Sequence, residues 1–384
     1  MQSGPRARFV AFRLSAHNLT AALPAQELER AAGVAGLQTS RVDSAAIALA
    51  NRVDAVRPED VTRALDRSGT LVTIWSMRGA PYVVPTCDIA VFTAGAAPDP
   101  QLSLKEFATA WAEHLLQAGV DLNGLISDIA TAAKAALRDG PLPVDDLRNR
   151  IYAALPQLHP IERPQFARAD MPEPFYRLLG PLGVACIVEG EGTRAVIGAL
   201  GDRVPRAVGG VDQHSAKLEL LRRYLHAYGP ATDKMFAEWT TRSVREVRAL
   251  IADLGDELVP IEVDGSHHWL LATDEEALRS PPDPVGLHLL PPLDPFLAQR
   301  DRATVIADRK LAAKVWRPLS PPGVVLHGAD IIAVWRSTRK GRRLAVTVEP
   351  FAPVPAATAK AIEARAAELA PFRGAEDVSI EVVR

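Results

Sequence analysis

Cysteine is nearly absent from this 384-residue chain: Cys87 and Cys186 are the only two, far apart and in no Cys-x-x-Cys or Cys/His cluster. That excludes a disulfide framework and a thiolate metal centre, and leaves two buried, reduced thiols as the expectation. Net charge is also lacking. Lys and Arg number 44 against 46 Asp and Glu, a formal balance of −2, so any basic surface must be local. No apolar run approaches the roughly 18 residues that a membrane helix needs. The N-terminus, MQSGPRARFVAFRLSAHNLT, carries basic residues but too short an apolar stretch for a signal peptide. A soluble, cytoplasmic protein is expected. There is no P-loop, dinucleotide fingerprint or Ser-His-Asp set, and Glu189-Gly190-Glu191-Gly192 is acidic and would repel phosphate, so it reads as a turn. His267-His268 has no third ligand near it in sequence, so neither a metal site nor any other cofactor is expected.

Apolar residues are plentiful at 48%, but aromatics make up only 5%, which suits small, closely packed helices. At roughly 100–200 residues per domain the length implies two to four domains. The clearest unit lies at 216–273. Leu218, Leu221 and Leu225 set an amphipathic helix ended by Gly229-Pro230. Thr232 can cap a second helix. Ser243 with Glu246 three residues on forms a capping box for a third. Two apolar strands follow, joined by Asp264-Gly265, a strong hairpin signal. Three helices and a hairpin make a winged helix. The same order fits twice earlier: helices at 24–32, 42–53 and 58–67 with a hairpin at 71–85, then helices at 123–137, 144–155 and 174–182 with a hairpin at 186–197. Pro-rich breaks at 96–100 and 281–284 mark edges. The expected organisation is winged helices at 1–105, 106–212 and 213–284. A β-rich region at 285–384 follows, with a long hairpin at 335–351 and an Ala-rich helix at 356–370.

Positive charge concentrates in that last region. Between Gln299 and Arg343 eleven Lys/Arg face three Asp, and Arg336, Arg339, Lys340, Arg342 and Arg343 crowd the hairpin tip. Such a tip can lie along phosphates or enter a groove. A solvated tip whose charges discourage edge-to-edge aggregation is the competing reading. Arg78, in the turn of the first hairpin, is a further candidate for DNA contact.

Several stretches resemble the AlkZ-like winged-helix DNA glycosylases. They are Gly36-Leu37-Gln38 with residues 45–53 after it; Trp75-Ser76-Met77-Arg78-Gly79 followed by Val83-Val84-Pro85; Leu289-Leu290-Pro291-Pro292-Leu293-Asp294 with Arg300-Asp301-Arg302; and Trp335 with the basic hairpin ending Val348-Glu349-Pro350-Phe351. They run in family order across nearly the whole chain. The resemblance implies an α+β fold: three tandem winged helices around a concave DNA-binding surface, plus the C-terminal β region. It also implies hydrolysis of N-glycosidic bonds of alkylated purines, bulky adducts and interstrand crosslinks included, in double-stranded DNA by a monomeric, nucleoid-associated protein. Self-resistance to a DNA-alkylating natural product is one setting for it. The family's catalytic motif is Gln-x-Gln, or Gln-x-Asp in one branch. The matching positions here are Gln38, Thr39 and Ser40, so the first amide is present and a serine stands in place of the second.

Each candidate also has a plainer reading. Gln38 could be a satisfied polar residue at a helix–helix turn. Ser40, three residues before Asp43, could be a helix cap. Asp294 could be a second catalytic group or an ion-pair partner, with Arg300 and Arg302 nearby. Two functional alternatives follow. One is a DNA-binding protein that lacks the chemistry, such as a damage binder or regulator. The other is a winged-helix module that binds a ligand or protein rather than DNA.

Overall fold

Helices followed by a hairpin recur three times along the chain in the computed structural model, which describes residues 5–39, 41–97, 119, 121–155, 174–190, 192–204 and 212–383. The first pass comprises helices Leu28–Gly33, Val42–Ala50 and Pro58–Leu65, with the two-residue strand β1 (Leu37–Gln38) after the first helix. Strands β2 (Leu71–Trp75) and β3 (Pro81–Pro85) then pair in the register Leu71↔Pro85 to Trp75↔Pro81. The second pass has helices Leu122–Ala136 and Val144–Ala154, with β4 (Leu142–Pro143) between them, and a hairpin of β5 (Ala185–Glu189) and β6 (Val196–Ala199). Its expected third α-helix is instead a 3-10 segment, Pro174–Leu179. The following Gly180-Pro181-Leu182-Gly183 explains the difference: Pro181 has no N–H to donate and biases Gly180 away from the helical region.

The third pass follows its sequence signals closely. Helices Gln213–Tyr228, Asp233–Thr240 and Val244–Leu254 precede β7 (Leu258–Val263) and β8 (Ser266–Leu271). Thr232 Oγ accepts from the Met235 N–H at 3.3 Å, and Ser243 Oγ from the Glu246 N–H at 3.1 Å. Asp264 and Gly265 both take positive φ, 48° and 75°, as the two-residue turn with the twist of its strands requires.

The chain divides into two units: Met1–Ala64 with Arg223–Met235 and Gly255–Arg384, and Leu65–Arg222 with Phe236–Leu254. In the second unit the first two hairpins share one sheet, ordered β3-β2-β5-β6-β4 and joined at Thr73↔Ile187. Trp75, Leu125, Ile129, Ile151, Leu179 and Ile197 belong to its core, with Trp75 edge-on to Tyr176 at 5.2 Å.

The first unit holds the C-terminal sheet: β9 (Leu287–Leu290), β10 (Gly323–His327), β11 (Asp330–Lys340), β12 (Arg343–Pro350) and β13 (Asp377–Val382), in the order β13-β12-β11-β10-β9. All neighbours are antiparallel except β12 and β13. That parallel pair needs a crossover, supplied by helix Ala356–Leu369, whose Ile362, Ala366 and Leu369 pack with Val325, Trp335 and Val346. Gly323 is obligatory, because a Cβ there would lie 2.4 Å from the Trp335 ring.

Among the elements not expected from sequence are β13 and the helix Pro5–Ala16. The helix packs Phe9 and Phe12 with Leu270 and Leu278, and Val10 and Leu14 with Leu290 and Phe296. Its apolar stripe is interrupted by Arg13, which is nonetheless fully buried and satisfied by Gly229 O, Gln299 Oε1 and Asp301 Oδ1 at 3.1, 2.7 and 2.9 Å. The expectation of two buried thiols is corrected for one of them. Cys186 is buried, and burial pushes its pKa up to about 11, but Cys87 is exposed in the turn Thr86–Asp88. Among the described residues no helix is long and apolar enough to cross a membrane.

Candidate active site and nucleic-acid interface

Gln38 is presented by a short, well-anchored backbone. Gly36 turns the chain with φ 71°, its N–H bonded to Ala32 O at 3.1 Å. Leu37 is 1% exposed and fixes the strand, while Gln38 is half-buried. Thr39 is buried beyond it, and its hydroxyl donates to Arg41 O and accepts from the Arg41 N–H at 3.0 Å. This side-chain turn ties Thr39 to Arg41, which precedes the next helix. Ser40 lies outside the described residues. Arg41 precedes helix Val42–Ala50 without a side-chain cap, and Asp43 pairs with Arg41 at 3.0 Å and Arg373 at 2.8 Å.

Helix Val42–Ala50 is the platform behind Gln38. Residues Ser44 to Leu49 are all buried, and Ile47 joins the core of the C-terminal sheet. Its far end is tied to the Leu289–Asp294 stretch. Asn51 Nδ2 donates to Ile47 O at 2.9 Å and to Leu289 O at 3.1 Å. Arg52 donates to Asp294 through both terminal nitrogens, at 2.9 and 2.7 Å, with side-chain exposures of 1% and 0%. Asp294 Oδ1 also accepts from the Phe296 N–H at 3.0 Å. The partner of Asp294 is therefore Arg52, 242 residues away, and not the adjacent Arg300 or Arg302. The same region holds two histidines neutral. Burial, then the charges of Arg52, His226 and Arg13, hold His17 well below its ordinary value, with its ring packed by Tyr228 at 5.2 Å and Phe296 at 5.8 Å. Burial, then Arg365 and Arg52, bring His288 down to about 4.

Arg78 sits in the second unit, in the turn Met77–Gly79. Its backbone is left-handed, at φ 57° and ψ 24°, which is uncommon for a non-glycine residue. The turn is held by Ser76, whose hydroxyl donates to Phe92 O at 2.6 Å and whose N–H donates to Ala80 O at 2.9 Å. A strained conformation kept in place by its surroundings is the kind of backbone feature that gathers at binding sites.

The basic hairpin turns through Gly341 and Arg342, with Lys340 paired to Arg343 and Gly341 at φ 59°. Arg339, Lys340, Arg342 and Arg343 are exposed and Arg336 is half-buried. Here the fold changes the local balance of charge from that along the sequence. Strand β13 brings acids alongside: Arg342 pairs with Glu376, and Asp377 lies opposite Arg343. Arg336 donates to Ser320 O at 3.1 Å, and Arg339 to Gly374 O at 3.2 Å. His267, on the third hairpin, pairs with Glu262 at 3.3 Å. Among the described residues no three His, Cys, Asp or Glu side chains cluster as a metal site would require.

A family model described as DNA glycosylase AlkZ-like matches residues 31–372. An interstrand DNA cross-link repair glycosylase from Streptomyces sahachiroi is 26% identical over 330 residues, covering 82% of this chain and 82% of that protein. The solved structure of the Streptomyces sahachiroi DNA glycosylase AlkZ superposes with a TM-score of 0.79 at 22% identity, covering 100% of both chains, a likeness of fold.

Proposed function

The chain belongs to the AlkZ-like DNA glycosylases, and from that premise we propose that it excises alkylated purines from double-stranded DNA, bulky adducts and interstrand crosslinks included, with Gln38 positioning the attacking water. As a member it is a DNA N-glycosylase, a hydrolase with a mixed helix-and-strand fold. The observation that carries the finer reading is the presentation of Gln38: a half-buried amide on a backbone clamped by Thr39 and backed by a buried, ion-paired helix.

The chemistry asks little of such a residue. A purine alkylated at N7 or N3 is already cationic. When the bond from C1′ to the purine nitrogen breaks, the base takes the electron pair and leaves neutral. The sugar develops oxocarbenium character. Water then forms the new C1′–O bond and gives up its proton to solvent, leaving an abasic site. An amide is no base, but its carbonyl oxygen can accept a hydrogen bond from water and aim a lone pair at C1′, a gain of proximity and orientation. Ser40 has the donor and acceptor to hold the water from the other side, on a shorter arm. Asp294, bound to Arg52, serves as a positioning residue for the helix behind Gln38.

Arg78, in the second unit, and Arg336, Arg339, Lys340, Arg342 and Arg343, in the first, are proposed to contact the DNA backbone or grooves, and the chain is proposed to comprise winged helices at 1–105, 106–212 and 213–284 with the β region at 285–384. We place the working protein in the cytoplasm, at the nucleoid, as a monomer, and self-resistance to an alkylating natural product fits this activity. Incubating it with duplex DNA carrying N7-alkylated guanine and assaying the free base tests the reading. Salt-sensitive duplex binding without any release, across several lesions, would favour a damage binder, the reading that the serine at position 40 supports.

A further inference from the structure

One side chain stands apart from the apolar economy of this protein. Leu319 is 83% exposed, and among the described residues the next most exposed large hydrophobic residue is Val285 at 57%. Leu319 sits in Trp316-Arg317-Pro318-Leu319-Ser320-Pro321-Pro322, the loop between helix Arg309–Val315 and β10. The loop is fixed at both ends. Val315 is 2% exposed, Trp316 Nε1 donates to Leu297 O at 2.9 Å, and Pro322 is buried beside Gly323. It is fixed in the middle too, where Arg336 donates to Ser320 O at 3.1 Å. Ser320 itself adopts φ 48°, a left-handed conformation unfavourable to a serine. Three prolines restrict the rest. The surroundings hold the leucine out in solvent on a stiff tip, where it contributes nothing to the core.

The neighbours say what it meets. The preceding helix exposes Arg309, Lys310 and Lys314, Arg317 is exposed next to the tip, and Arg336 ties the loop to the strand that runs to the basic hairpin. A stiff apolar point in a field of Lys and Arg suits a duplex. The cations neutralise phosphates, and the leucine enters between base steps, as the apolar wedges of minor-groove proteins do.

We propose that Leu319 is a wedge that inserts into the base stack of bound double-stranded DNA and opens it beside a weakened base pair. The inference rests on the reading of this protein as a DNA glycosylase. Opening the stack has a free-energy cost that is least at a damaged or mismatched pair, so the wedge would also help to select the lesion.

The test uses the whole protein and a duplex with a fluorescent base analogue, quenched by stacking, next to a mismatch. Wild type should raise the fluorescence on binding. Leu319→Ala should lose that rise while keeping duplex affinity and its salt dependence, which the cations set, and Leu319→Phe should restore it. A full rise with Leu319→Ala, or no rise with wild type, overturns the proposal. Base release from alkylated duplex, measured in parallel, separates the two ideas: a Leu319-dependent rise without base release leaves the wedge standing and removes the catalytic reading.

Discussion

Replacing Asp294 by Ala decides whether its carboxylate serves the fold or the chemistry. In the wild type it receives two hydrogen bonds from Arg52, at 2.9 and 2.7 Å, and one from the Phe296 N–H, at 3.0 Å, with both charged side chains at 1% exposure or less. Removing one partner of such a pair strands the other charge away from water, which costs about 3–5 kcal/mol. Asp294→Asn keeps an acceptor for Phe296 N–H but not the charge, so it should lose most of the same amount. Arg52→Met combined with Asp294→Leu removes both charges, and should recover much of the loss, because apolar replacement of a buried pair is often neutral or better. The assay is denaturant unfolding of the three variants, with base release measured under conditions where each is folded. Excision by folded Asp294→Ala should fall only as far as the Gln38 platform loosens. An unchanged unfolding midpoint together with abolished excision would refute the structural account and make Asp294 a catalytic group.

Changing Arg339, Lys340, Arg342 and Arg343 together to Ala should weaken duplex binding and flatten its salt dependence. Every phosphate that is no longer neutralised takes about 0.9 off the logarithmic slope. Because Arg342 already pairs with Glu376, the change should be smaller than that for four phosphates, and an unchanged slope would show the tip to be solvated only. Stability should fall on acidification. His288 is held at about 4 in the folded state against an ordinary 6.5, so its contribution is complete above pH 6.5 and is lost as the pH falls towards 4. That shift corresponds to on the order of 3 kcal/mol. A His288→Gln variant should lose part of this pH dependence in urea titrations, and an identical profile would contradict the assignment. EDTA should leave base release unaltered, since the cationic leaving group needs no Lewis acid; loss of activity reversed by added divalent metal would overturn that.

Local signals carried much of the fold. Asp264-Gly265 set the third hairpin because only a turn with two positive φ values matches the strand twist, and the observed register Val263↔Ser266 follows from it. Thr232 and Ser243 likewise capped the helices they precede. The helix Pro5–Ala16 was hidden because Arg13 interrupts its apolar stripe, and its partners, Gly229, Gln299 and Asp301, lie more than 200 residues away. Strand β13 was hidden because a parallel pair has no turn to announce it. The same strand explains why the charges read along the sequence overstated the basic tip: Glu376 and Asp377 join it only through pairing. At the candidate site, Gln38 was singled out by the family resemblance, through its place after Gly36-Leu37, and its role stays a proposal. The Arg52–Asp294 pair was not legible in the sequence, since nothing local connects residues 242 positions apart.

The central claim is that Gln38 orients the water that replaces the departing base. The direct measurement is the single-turnover rate of free-base release from duplex DNA bearing N7-alkylated guanine, compared between wild type and Gln38→Ala at matched DNA occupancy. Loss of one preorganised hydrogen bond at a reacting centre lowers rates by roughly 10²–10³-fold. A fall of that order is expected, with DNA affinity and unfolding midpoint unchanged; equal rates for the two proteins would contradict the claim.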